Sequence, residues 1–219
     1  QKFKMIYLDF EGFMNEPPTF VGYLFNSKFT QVIFDETFLL IAKEKGLKFQ
    51  KYDEFCIEIL KTSNQSGQPI TAWSEREKEA LDMFDIPYRY CNLLKEVKTL
   101  IKKDKRLKAK HRDMPEYWKY ARYTRAGRLN PARNHNKCKR WSLTTILKLF
   151  NYSELGTGYG SGKVTSRIRD IQSGLKARGT YEDLTLTQKS KWTKLQNHNR
   201  VDVEGMQFIA QVLNFSWRK

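Results

Sequence analysis

IYLDFEG, residues 6–12, is an apolar run that carries two acidic residues, and it decides how the rest of the chain is interpreted. Side chains of a β-strand alternate between two faces, so Asp9 and Glu11 share one face while Leu8 and Phe10 share the other. Burying two carboxylates costs free energy unless a positive group lies between them. A divalent metal ion is the natural partner, because hard cations take carboxylate oxygens as ligands. An edge strand that exposes both acids to solvent is the alternative.

The residues around this stretch predict a small antiparallel meander. Residues 4–10 form the first predicted strand, and residues 19–26 and 29–35 have the composition of two more, separated by short polar turns. A segment with helical spacing at 52–63 and a short apolar strand at 70–73 follow. Strands followed by alternating strands and helices favour an α/β fold with a mixed central sheet flanked by helices.

The composition is that of a folded and strongly basic protein. In 219 residues, 40% are hydrophobic and 14% aromatic, and the net charge of +16 indicates a polyanionic partner, either nucleic acid or an acidic membrane surface. The sequence has no transmembrane run and no signal-peptide pattern, so we expect a cytoplasmic (intracellular) protein without a membrane partner. Three scattered cysteines argue against a disulfide framework and fit a reducing compartment. Because the chain begins at Gln1, it is compatible with a fragment whose other domains or partner proteins lie elsewhere.

A basic segment at residues 95–140 holds most of the excess charge. It has 17 Lys and Arg against four acidic residues, a net charge of +13, with aromatic residues interleaved between positions 117 and 123. Basic side chains neutralise phosphates, and aromatic rings stack on unpaired bases, so the segment predicts contact with nucleic acid. A solvated basic helix followed by a loop is the alternative. The candidate nucleic-acid-binding residues are Lys102, Lys103, Lys105, Arg106, Tyr117, Trp118, Lys119, Tyr120, Arg122 and Arg125.

The last predicted helix, residues 198–214, carries a second group of candidate ligands. His198 and Asp202 are four residues apart, which places them on one face of a helix. Between the first strand and this helix lies another helix, which Ser74 is predicted to cap, with Glu77 at capping-box spacing. Carboxylates from distant segments, together with one imidazole, suit two-metal hydrolysis of a phosphodiester, in which the histidine takes a proton from the attacking water.

Taken in order, these motifs resemble the DEDD exonuclease superfamily, which has the ribonuclease H-like fold. More narrowly, they are similar to the ribonuclease H-like nuclease domain of predicted RecB-family nucleases. YLDFEG at 7–12 resembles the first motif, AWSEREKEAL at 72–81 the second, and HNRVDVE at 198–204 the third. WSLTTIL at 141–147 resembles a helix of the narrower family. The resemblance covers most of the chain.

The resemblance implies one ribonuclease H-like nuclease domain over residues 1–219, with the basic insertion inside it. It implies a hydrolase acting on phosphodiester bonds, a 3′–5′ exonuclease that binds two Mg²⁺ or Mn²⁺ ions, with DNA favoured over RNA. The implied ligands are Asp9, Glu11, Glu77 and Asp202, and His198 is the implied general base. Glu75 competes with Glu77 for the second motif. A non-catalytic nucleic-acid-binding module on the same fold, and an endonuclease with the same site, stay open as alternatives.

Overall fold

Strand β1 (Ile6–Glu11) lies inside a mixed, six-stranded sheet in a computed structural model of the chain. The structure describes residues 4–13, 16–114, 141–155 and 164–213. β1 has a hydrogen-bonded strand on each side, antiparallel on one and parallel on the other. The alternative of an exposed edge strand is therefore wrong.

The antiparallel side of the sheet is the meander that the sequence predicts. β1 pairs with β2 (Phe20–Phe25), and β2 pairs with β3 (Lys28–Ile33). Asn26 and Ser27 form the turn between them with φ of 49° and 66°, the left-handed backbone that tight hairpin turns require. The strand ends lie within two residues of the predicted ones.

Three short strands extend the sheet, each parallel to its inner neighbour. β4 (Lys48–Phe49) pairs with β3, β5 (Ile70–Ala72) with β1, and β6 (Tyr90–Asn92) with β5, which gives the order β4-β3-β2-β1-β5-β6. The sequence predicts β5, which belongs to the short apolar run at 70–73, but not β4 or β6, which lie in no such run. The predicted α/β class with a mixed central sheet is confirmed.

Helices connect the strands and flank the sheet. In chain order they are α1 (Leu39–Glu44), α2 (Tyr52–Ser66), α3 (Arg76–Asp82), α4 (Leu93–Lys103), α5 (Lys105–Asp113), α6 (Leu143–Leu149), α7 (Val164–Arg178) and α8 (Leu186–Val212). Ser142 caps α6, since its side chain accepts a hydrogen bond from the Thr145 amide. No helix in the described ranges is long and apolar enough to cross a membrane.

Alternate residues of β1 pack against different helices. Leu8 and Phe10 lie in one apolar cluster with Phe55 of α2. Tyr7 lies in a second cluster with side chains of α4, α6 and α8. Trp192 of α8 is fully buried in a third cluster with α1 and α7. Each buried apolar side chain of this size contributes about 1.5–3 kcal/mol, so β1 is held firmly from both faces.

The last helix is longer than the sequence predicts. α8 begins after Thr185, which forms a capping box with Gln188, and it runs for 27 residues. The prediction of a helix that starts at residue 198 was wrong, because the polar stretch before it also buries an apolar side, which includes Trp192. His198 and Asp202 therefore lie well inside the helix.

The described part of the basic segment is helical. α4 buries Leu93, Val97 and Ile101 in the core, whereas α5 buries only His111. Residue 95, where the predicted insertion starts, therefore lies within a helix that belongs to the core.

Candidate metal centre

Asp9 and Glu11 lie two residues apart on β1, and both are half-buried. Burial is the largest cause that raises the pKa of both carboxyl groups well above the ordinary value. The charges of Asp202 and Glu77 raise the pKa of both residues further. Like charges removed from water resist ionisation together. The four acids therefore lie close enough to repel one another.

Helix α8 brings an imidazole and a third carboxylate to the same place. His198 Nε2 lies 3.4 Å from Asp202 Oδ2, and their side chains are 9% and 14% exposed. One ligand atom each from Glu11, His198 and Asp202 lie within 4.8 Å of one another. Segments almost the whole chain length apart thus converge on one point.

Of the two glutamates in the second motif, Glu77 lies beside Asp9 and Glu11, whereas Glu75 turns away from them. Glu77 is buried, and burial raises its pKa, while the Ser74 hydroxyl donates a hydrogen bond of 2.8 Å to its carboxylate. Glu75 is 42% exposed and turns toward Lys95 at 3.0 Å and Asn92 at 2.9 Å. Because these partners stabilise its charged form, the pKa of Glu75 is lowered.

The predicted Ser74 cap is wrong in its detail. α3 begins at Arg76 and has no side-chain cap bond. The Ser74 hydroxyl instead accepts a hydrogen bond from the Arg76 amide at 3.3 Å and donates its proton to Glu77. The serine thus orients the carboxylate of Glu77.

Asn199 is a site residue that the sequence prediction missed. It is fully buried, and its side-chain amide donates to the Asp9 carbonyl oxygen at 3.0 Å and to Asp9 Oδ2 at 2.9 Å. This hydrogen bond lowers the pKa of Asp9, against the larger effect of burial. A usable signal is present in the sequence, since Asn199 precedes Val203 and Met206 at helical spacing and so lies on the apolar side of α8.

Residues of the sheet hold the Asn199 side chain in place. Asp9, Gly22 and Gln31 are register partners on β1, β2 and β3. Gln31 Nε2 donates to Asn199 Oδ1 at 3.1 Å, which fixes the orientation of the amide. A Cβ atom on Gly22 would lie only 2.0 Å from that same oxygen, so the position requires glycine.

Two arginines add positive charge at the edge of the acids. The charge of Arg76 lowers the pKa of Glu11, and its guanidinium donates to the Phe13 carbonyl oxygen at 2.9 Å. Burial, helped by Arg167, lowers the pKa of His198 to about 4. A histidine with that pKa is neutral near pH 7, so it can accept a proton or ligate a metal ion.

The predicted nucleic-acid-binding residues fall into two groups. Exposed side chains on α4 and α5 make up the first group: Lys102, Lys103, Lys105 and Arg106. The others lie outside the described residues: Tyr117, Trp118, Lys119, Tyr120, Arg122 and Arg125.

Comparison of the chain with protein-family models, with curated proteins and with solved structures found no match. The chemistry of the donor set is therefore the guide to its ligand. Carboxylate oxygens are preferred by Mg²⁺ and Mn²⁺, and an imidazole nitrogen is tolerated by Mn²⁺. Burial and mutual repulsion raise the pKa values of Asp9 and Glu11. A cluster of such acids fits a site whose negative charge is neutralised by divalent cations.

Proposed function

We propose that the chain is a metal-dependent nuclease that hydrolyses phosphodiester bonds of nucleic acid, acting as a 3′–5′ exonuclease. The observation that carries the proposal is the convergence of Glu11, His198 and Asp202 within 4.8 Å, beside Asp9 and Glu77. Structural carboxylates usually lie beside a cation or on the surface, whereas these acids lie beside one another. Clustered acids with strongly perturbed pKa values mark functional sites.

Two Mg²⁺ or Mn²⁺ ions are the proposed cofactors. Asp9, Glu11, Glu77 and Asp202 would hold them, because their ligand atoms are hard oxygens. When bound, such ions supply charge neutralisation at the phosphate and orient the attacking and leaving oxygens. Asn199 and Ser74 hold two of the acids in fixed rotamers through the hydrogen bonds described above.

His198 is the proposed general base. Its neutral imidazole lies beside Asp202, close to Glu11, so it can receive the proton of an attacking water. Arg76 is exposed and lies next to two of the acids, a position from which a guanidinium can bind the phosphate in a bidentate manner.

The ribonuclease H-like fold is the proposed finer classification. An antiparallel meander that is continued by parallel strands β5 and β6, with acids on the central strand, supports it. Nucleic acid is the proposed partner because of the net charge, and the resemblance to RecB-family nucleases favours DNA over RNA. An intracellular location is supported by the free thiols of Cys56 and Cys91.

Loss of activity in Asp9→Asn and Asp202→Asn tests the proposal directly. Both variants should lose Mn²⁺-dependent hydrolysis of an end-labelled oligonucleotide by at least roughly 10³-fold, because each removes charge from the metal site. Asp53→Asn is the matched control, since this acid is exposed on α2. Full activity in both site variants would rule out the site.

The substrate form decides between the two nuclease modes. An exonuclease needs an end, so linear single strands should be degraded while a circular single strand of the same sequence survives. Cutting of the circle would replace the exonuclease by the endonuclease alternative at the same site.

A non-catalytic nucleic-acid-binding module is the second candidate, favoured by the exposed basic side chains on α4 and α5. Binding of Mg²⁺ or Mn²⁺ separates the two. Either ion should raise the melting temperature of a nuclease, and Asp9→Asn should abolish the rise. A melting temperature that is indifferent to both ions favours the binding module.

A further inference from the structure

Helices α4 and α5 meet at a corner whose inside is lined with positive charge. Asp104 alone separates them, and its side chain accepts hydrogen bonds from the amides of Arg106 and Leu107 at 2.8 and 3.0 Å. The corner encloses a groove of about 700 Å³. Its cationic lining residues are Lys98, Lys102, Lys105, Lys108 and Arg112.

The lysines of this groove are not neutralised by nearby acids. Within the part of the chain that the structure describes, Lys98, Lys102, Lys105 and Lys108 make no ion pair with a carboxylate. Lysines elsewhere on the surface do, such as Lys78 with an acid of its own helix. Cations concentrated on two rigid helices repel one another, so a polyanion is the ligand that they fit.

An aromatic wall closes the groove. Trp141 is half-buried, with its ring centroid 4.4 Å from that of His111 and 5.6 Å from Lys98 Nζ. Grooves that combine cations with aromatic rings are typical of single-strand binding, in which phosphates meet lysines and bases meet rings. The volume is that of a ligand cleft, which admits a short stretch of one strand.

A hydrogen bond links the groove to the segment between β5 and α3 that leads to Glu77. Trp73 Nε1 donates to the Trp141 carbonyl oxygen at 3.2 Å. Trp73 immediately precedes Ser74, whose hydroxyl bonds Glu77. The aromatic wall of the groove and the second-motif acid are therefore connected through one short stretch of chain.

We infer that this groove binds the sugar-phosphate backbone of single-stranded nucleic acid and leads the strand toward the metal centre. The destination of the strand rests on the proposed function, whereas its binding in the groove does not. Lys102, Lys105 and Lys108 contact phosphates, and Trp141 offers its exposed part to a base.

The test is the binding of a fluorescent oligothymidylate of about 12 nucleotides, measured by anisotropy in EDTA across a range of salt concentrations. The groove variant carries Lys102→Gln, Lys105→Gln and Lys108→Gln. The matched control carries Lys43→Gln, Lys61→Gln and Lys176→Gln, which remove the same charge from exposed positions on α1, α2 and α7.

The groove variant should bind at least roughly ten-fold more weakly, and its salt slope should be smaller by about two, since each phosphate contact contributes about 0.7. The control variant should bind within about two-fold of the wild type. Equal weakening in both variants would overturn the inference, because net charge alone would then explain the binding. Displacement of the oligonucleotide by a polyglutamate peptide at equal charge would also overturn it, in favour of an acidic protein partner.

Hydrolysis of a small phosphodiester, bis-p-nitrophenyl phosphate, with Mn²⁺ separates this inference from the proposed function. The matched control variant should keep this activity, and Asp9→Asn should lose it. Oligonucleotide binding that depends on the groove in a chain without any hydrolytic activity supports the groove and refutes the nuclease. Hydrolysis that is lost only in Asp9→Asn, with oligonucleotide binding unchanged in the groove variant, refutes the groove alone.

Discussion

Replacing Gly22 by alanine should damage the metal centre without changing any acidic residue. A Cβ atom at this position would lie 2.0, 2.8 and 3.1 Å from Oδ1, Cγ and Nδ2 of Asn199. All three distances are too short, so the amide must move away from the sheet. Movement of the amide breaks its two hydrogen bonds to Asp9 and the one that it accepts from Gln31.

The cost follows from the bonds that are lost. Two neutral hydrogen bonds contribute about 1 kcal/mol each and the bond to a carboxylate about 2 kcal/mol, so Gly22→Ala should cost about 4 kcal/mol of unfolding free energy. Asn199→Ala removes the same bonds and should cost a similar amount. Once the amide is absent, the new methyl group has room, and alanine in a strand should stabilise the chain by about 0.5 kcal/mol relative to glycine.

The coupling between Gly22 and Asn199 can be measured by a double-mutant cycle. Urea unfolding gives the free energy of unfolding of the wild type, both single variants and the double variant. Gly22→Ala should destabilise the wild type by about 4 kcal/mol yet stabilise the Asn199→Ala protein by about 0.5 kcal/mol, a coupling of about 4.5 kcal/mol. Gly22→Ala on the background of Glu79→Ala, an exposed residue of α3, is the control and should be additive. If Gly22→Ala costs the same with and without Asn199, within about 0.5 kcal/mol, the proposed contact between the Asn199 amide and Gly22 is refuted.

Three other predictions concern the acids and the imidazole. Mg²⁺ or Mn²⁺ should raise the melting temperature more at about pH 8 than at about pH 5.5. Because the pKa values of Asp9 and Glu11 are raised, their protonated forms stabilise the metal-free fold at low pH, and this stability is lost as pH rises through the folded pKa. Metal binding should replace the lost stability at high pH. Differential scanning fluorimetry measures the rise in melting temperature, and an equal rise at both pH values contradicts the prediction. Glu77→Gln should abolish the metal-induced rise. Glu75→Gln should keep it and cost under about 1 kcal/mol, because the ion pair of Glu75 with Lys95 is exposed and a glutamine can still accept the hydrogen bond from Asn92. His198→Gln should lower kcat by about 10²–10⁴-fold with KM little changed, and a loss confined to KM in steady-state assays would argue against a general base.

Several features could be predicted because they depend on local patterns. The alternation in β1 places Asp9 and Glu11 opposite an apolar face, and the meander follows from two strand-like runs around short turns. The four-residue spacing of His198 and Asp202 brings both to one side of α8, where they lie 3.4 Å apart. Each of these inferences needs only the periodicity of one element.

Other features depend on contacts between distant segments. Glu75 and Glu77 are both in the second motif, and only the position of Lys95 at the start of α4 shows which of them turns away from the site. Strand β6 is recognised only by its pairing with β5, because its three residues do not belong to an apolar run in the sequence. Helical spacing places Asn199 on the apolar side of α8, but its contact with Gly22 exists only once the helix packs on the sheet.

The acids of the site cannot assemble themselves, because burial and then the charges of their neighbours both oppose their ionisation and raise the pKa values of Asp9 and Glu11. Some other interaction must therefore hold α8 against the sheet, and two close contacts at glycines provide it. At one, the Asn199 amide lies where a side chain of Gly22 would be; at the other, a Cβ atom on Gly205 of α8 would lie 2.7 Å from Leu147 Cδ1 of α6. Packing at these two points fixes the position of α8 relative to the sheet and to α6. This position brings Asp202 close to β1. The site is therefore held by steric fit in the core, and the proposed metal ions would complete an arrangement that packing has already made.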